Sequence, residues 1–136
     1  MATQGEIAVN MKEVLDYSRL MGTFIPTLQN IVERKTTADA AKKQGLKVSS
    51  HELQRGADTL RYVSGLTSAK ATQKWMAIHG ISPDMLEEFL ETSILVSKFK
   101  DHLVASADQA KYLTQPQVTE LVRDLVYEDW LKDNLG

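Results

Sequence analysis

Four glycines, at positions 22, 45, 65 and 80, cut the first part of the chain into segments of helical length, and this punctuation constrains the fold more than any other feature. Between them, apolar residues recur at three- and four-residue intervals, which puts them on one face of a helix. A glycine just past such a segment is a natural left-handed stop. Asn10 to Met21 carries Met11, Val14, Leu15 and Leu20 and ends at Gly22. Phe24 to Gln44 carries Phe24, Ile25, Leu28, Ile31 and Val32, with Pro26 in its first turn and Lys42 and Lys43 in its last. Those are the places where a missing N–H does no harm and where the helix dipole favours cations.

The starts are marked as clearly as the stops. Ser49 and Glu52 have the spacing of a capping box, in which each satisfies the other's end donor. The helix that follows buries Leu53, Ala57 and Leu60, and the next, from Thr67 or Ser68 to Gly80, puts Ala71, Trp75 and Ile78 on one side. Ser82-Pro83-Asp84 announces a fifth helix, Pro83 to Leu103. Its apolar stripe, which includes Leu86, Phe89, Leu90, Ile94, Leu95, Val96 and Phe99, is too broad for one contact surface, so this helix is expected to be central. After a short connector, Ala105 to Leu113, a last helix runs from about Thr114 to Asn134, with Val118, Leu121, Val122, Leu125, Trp130 and Leu131 on its core side. The expectation is one all-α domain of about six helices over residues 1–136, with no strand.

Composition narrows the function. A net charge of -2 gives no global reason to bind nucleic acid. The chain has no cysteine, which excludes disulfides, thiolate metal sites and cysteine nucleophiles. No apolar run approaches the ~18 residues that span a bilayer, and Met1 to Asn10 does not read as a secretory signal. A cytoplasmic protein without membrane insertion is expected.

The middle of the chain carries a family pattern. Ala40-Ala41, Gly45-Leu46, Val48-Ser49, Glu52-Leu53-Gln54 and Ala57-Asp58 lead to Gly65-Leu66, Ser68-Ala69, Thr72 and Trp75, and then to Gly80-Ile81-Ser82 and Glu87-Glu88. This resembles the helical chaperone domain of SurA/PrsA-type bacterial foldases. In that family a parvulin isomerase domain follows the long helix, and a final helix, often ending in Trp-Leu, returns to the bundle. Leu121 to Leu131, with Trp130-Leu131, looks like that returning helix. A parvulin domain needs on the order of a hundred residues, which the connector cannot hold, so isomerase activity is not implied. The resemblance implies peptide binding, with a precursor or secreted polypeptide as client.

Catalytic sets are weak by comparison. His51, His79 and His102 lie in different helices, without metal-motif spacing. Glu87, Glu88 and Glu91, like Glu120, Asp124, Glu128 and Asp133, read as solvated faces, positioned to meet Arg34, Lys35, Lys42 and Lys43. The pair of helices around Gly80-Ile81 mimics a helix-turn-helix, but the second opens with Asp84, Glu87 and Glu88 where phosphate binding needs cations. No nucleic acid partner, metal or cofactor is expected. The apolar surplus is the remaining signal. Met11, Leu15, Met21, Phe24, Leu28, Tyr62, Met76 and Met85 are the candidate peptide-binding residues, because methionine adapts to varied partners and aromatics anchor them. Gly22-Thr23 forms a hinge at which helix one, residues 1–22, is positioned to swap into a second copy. The alternatives are a helical adaptor subunit of a biosynthetic enzyme, or a small enzyme using His79 or His102 with Glu88.

Overall fold

The structure, a computed structural model, describes residues 2–4, 7–106 and 119–135. Six helices follow one another: α1 (Met11–Leu20), α2 (Phe24–Lys43), α3 (Ser50–Val63), α4 (Ala69–His79), α5 (Pro83–Ser106) and α6 (Thr119–Leu135). The all-α expectation holds, with one correction. Two short strands, β1 (Ala2–Gln4) and β2 (Ile7–Val9), form an antiparallel hairpin with Ala2 opposite Val9 and Gln4 opposite Ile7. α5 runs three residues past Leu103, to Ser106, and so takes in Ala105 and Ser106 of the expected connector. The rest of it, and the expected helix start at Thr114, lie outside the described residues.

The helix ends follow the sequence signals closely. Ser49 and Glu52 form the capping box, and Ser68, Ser82 and Asn10 each accept a hydrogen bond from a backbone N–H in the first turn that follows. Gly80 closes α4 at φ 65° and ψ 32°, with its N–H donated to Ala77. That left-handed conformation costs a residue with a Cβ about 1 kcal/mol or more.

Chain contacts divide the protein into two units, Met1–Glu33 and Arg34–Gly136. In the second unit, α5 packs along both α3 and α6, which makes it the central helix there. Its buried residues are Leu90, Leu95 and Phe99. Ala38 and Ala41 of α2 join Leu95 and Phe99 in the core, with Leu46, Val48, Leu103 and Trp130 around them. Phe99 and Trp130 meet edge to face at 5.0 Å. Thr37, fully buried, shares a 2.9 Å hydrogen bond with the Tyr127 hydroxyl. Arg34 lies over the Phe89 ring, 4.7 Å from its centroid, and donates to Phe89 O and Ser93 Oγ.

Three core assignments need correction. On α6 the buried residue is Val126, while Leu121 and Leu125 are exposed, so the core face is rotated by one residue. Val118 and the Val122 side chain lie outside the described residues. On α4, Thr72, Trp75 and Met76 turn inward, and Ile78 is 69 % exposed. On α2 the buried face is built from Thr37, Ala38 and Ala41 rather than from its large apolar residues. At about 100° per residue, Phe24, Leu28, Ile31 and Val32 are centred roughly 120° from Thr37, Ala38 and Ala41, with Ile31 nearest Ala38. The helix therefore carries two apolar stripes out of phase.

In the first unit none of residues 7–33 is buried. The Lys12–Asp16 pair at 2.6 Å and the Arg19–Asp16 pair at 3.4 Å occupy one side of α1. Val14, Leu15, Ser18 and Met21 share the other.

Candidate functional site

Two apolar clefts stand out, one in each unit. The first lies in the second unit, among α3, α4 and α5. Leu53 and Ala57 of α3, Met76 of α4, and Pro83, Leu86 and Leu90 of α5 supply its apolar lining. Ser50, Gln54 and Glu87 bring polar groups to it, and its volume is about 440 Å³. That lies within the ~300–1,000 Å³ common for ligand sites.

Local chemistry holds this cleft in shape. The Glu52 carboxylate accepts from the Ser49 N–H at 3.1 Å and from Lys98 Nζ, which lies 2.9 Å from Oε1 and 2.7 Å from Oε2. Lys98 also donates to the Lys47 carbonyl, so it ties the start of α3 to the middle of α5. The Lys98 hydrogen bond, followed by that of the Ser49 backbone, holds the Glu52 carboxyl down at about 2. Further along α3, Gly56 faces Ile94 and Leu90. At the far end of the helix, Arg61 Nε donates to Thr72 Oγ1 and links α3 to α4.

The second cleft belongs to the first unit. It is lined by Val9, Val14, Tyr17 and Met21, with Glu13, Ser18 and Thr23, and its volume is about 620 Å³. Arg19 lies over the Phe24 ring, 4.5 Å from the centroid.

The eight residues singled out from sequence do not converge on one surface. Met76 lines the cleft of the second unit, and Met21 that of the first. Met11, Leu15, Phe24 and Leu28 lie in the first unit outside the cleft lining, Leu15 and Phe24 half-buried and Met11 and Leu28 exposed. Tyr62, 84 % exposed, and Met85, exposed in the first turn of α5, line neither cleft. Leu53, Ala57, Leu86 and Leu90 were legible as apolar face residues but not as cleft residues. The available signal was the small side chain of Ala57 one turn from Leu53, which leaves room beside α4. Tyr17 had no distinguishing signal beyond its place one turn before Met21.

His79 and His102 meet aromatic rings. His79 lies against Trp75 at 5.3 Å and His102 against Phe99 at 5.7 Å, and neither hydrogen-bonds Glu88 among the described residues. The acidic faces pair in part as their positions suggested. Glu91 meets Lys42 at 3.9 Å, while Asp124 meets Lys100 at 4.0 Å and Lys43 turns to Asp39 on its own helix. Among the described residues there is no group of three or more potential metal ligands, and no helix is long and apolar enough to cross a membrane. No family model, curated protein or solved structure matches the chain.

Proposed function

We propose that this protein is a non-catalytic peptide-binding escort that seats an apolar stretch of a client polypeptide in the α3–α4–α5 cleft. The observation that carries the reading is the lining itself. Leu53, Ala57, Met76, Leu86 and Leu90 offer aliphatic and thioether surface, and the polar groups beside them are Ser50, Gln54 and Glu87. Such a lining selects hydrophobic anchors and does not activate a bond. Met76, with three rotatable side-chain bonds, lets the floor adapt to anchors of different shape. The client of best fit is an amphipathic segment whose apolar residues recur every three or four positions, with a cation placed to meet Glu87.

The SurA/PrsA resemblance supports the same reading. It also supplies the client class, a precursor or secreted polypeptide held before export or modification. The short connector, Ala105 to Leu113, where the family carries its parvulin domain, favours holding over isomerisation.

An array of short peptides read by fluorescence anisotropy tests the proposal. Peptides with apolar residues at i, i+3 or i+4, and i+7 are expected to bind, and Met76→Lys is expected to weaken them by at least about tenfold, or 1.4 kcal/mol. Binding that survives both Met76→Lys and Leu86→Lys in folded protein contradicts the proposal.

A further inference from the structure

We propose that the first unit is a dimerisation module, and that its apolar side is covered by the same unit of a second copy of this chain. This is independent of the peptide cleft, which lies in the other unit.

The first argument is the missing core of the unit Met1–Glu33, since small units without one lean on disulfides, metals or oligomerisation. The chain has no cysteine, and the described residues hold no metal-ligand group. None of residues 7–33 is buried. Within the unit, α1 does not pack along α2, although one of its sides is apolar. The hairpin has only two strands, which is marginal in water without a further partner. A client that comes and goes would leave all of this uncovered between visits. The cover must be resident, and a second copy is always present in equal amount.

The second argument is area. From Ile7 to Val32, ten large apolar side chains are 45–85 % exposed. At about 100 Å² apiece they amount to on the order of 1,000 Å². A standard stable interface buries about 800 Å² per partner. The stripe on the first half of α2 supplies part of this exposed area and is centred away from that helix's buried face, so one neighbour does not satisfy both.

The third argument is charge. The charged side chains of α1 are Lys12, Glu13, Asp16 and Arg19, two cations and two anions. Asp16 is shared between Lys12 and Arg19 on the polar side. Two identical copies therefore approach without net repulsion, whereas a strongly charged partner finds no counterpart here.

Sedimentation equilibrium of the full chain from about 1 to 50 μM tests this, the range in which an interface of standard size is populated. The expected mass is twice 15.2 kDa. Val14→Asp with Met21→Asp is expected to return it to the single-chain value. A wild-type chain of single mass throughout overturns the proposal, whether its own second unit or a client then covers the face. A dimer untouched by the double substitution overturns the assignment to this face. If that variant loses its helices, a spin label decides, because the chain is cysteine-free. Lys12→Cys places one label on the polar side of α1, where the Lys12 side chain is 83 % exposed. Two facing helices put the labels roughly 15–35 Å apart, given an interaxial spacing of 8–10 Å. Dipolar coupling that disappears on dilution with unlabelled chain supports the proposal, and its absence overturns it.

Discussion

Lys98 Nζ lies 2.7 Å from Glu52 Oε2, and through this pair the capped start of α3 is fastened to the middle of α5. Glu52 does two jobs with one carboxylate, since it also closes the capping box with Ser49. Its ionised form is therefore favoured in the folded chain, and its carboxyl is lowered from an ordinary 4.5 to about 2. A depressed carboxyl gives stability that is present above the unfolded value and lost as pH falls through the folded one. The window is thus pH 4.5 down to about 2. The urea midpoint of the wild type is expected to exceed that of Glu52→Gln by a constant margin above about pH 5, and the margin to shrink steadily toward pH 2. A margin unchanged by acid would show that the pair does not tie the helices.

Gly56 sits inside α3, where glycine costs about 0.5–1 kcal/mol relative to alanine. A methyl built there meets Ile94 Cδ1 and Leu90 Cδ2 at 3.6 Å, an ordinary contact. Gly56→Ala is therefore expected to stabilise the chain by about 0.5–1 kcal/mol. Chemical denaturation measures this, and a destabilised variant would mean that α3 and α5 lie closer than the present packing.

Phe99 is 4 % exposed and stands at the centre of the only cluster of buried apolar residues that joins α2 to α5 among the described residues. Phe99→Ala removes the edge-to-face contact with Trp130 and leaves a cavity. The expected cost is about 3–5 kcal/mol. Trp130 fluorescence reports the same event, since the indole gains water on one side. A loss below about 1 kcal/mol, the range of surface changes, would mean that this is not the core.

The helices were legible because their ends are written in single residues. Ser49, Ser82 and Gly80 each act within one turn of themselves, so no knowledge of the rest of the chain is needed. Core faces were less legible where apolar residues run in adjacent pairs. On α6, Leu125-Val126 offers two faces about 100° apart, and the choice falls to Val126 because Tyr127 on that side reaches Thr37. On α2 the large residues mislead. Small Ala38 and Ala41 let α2 approach α5, while Ile25, Leu28, Ile31 and Val32 stay outside. The hairpin gave no signal because its strands, Ala2–Gln4 and Ile7–Val9, are too short for a period to register. The cleft was the least legible part, since it is a gap between three helices and not a property of any one of them.

The chain has five methionines, and each Met methyl is a separate NMR probe. Titration of a methyl-labelled sample with an amphipathic peptide tests the central claim most directly. The Met76 methyl in the α3–α4–α5 cleft is expected to shift in step with binding, while exposed Met85 is expected to stay in place.

 Met85 is the internal control simply because it is 56 % exposed and lines neither cleft. A Met76 signal that moves with saturation while Met85 stays fixed is the predicted result. A peptide that binds while the Met76 signal stays where it was contradicts the account.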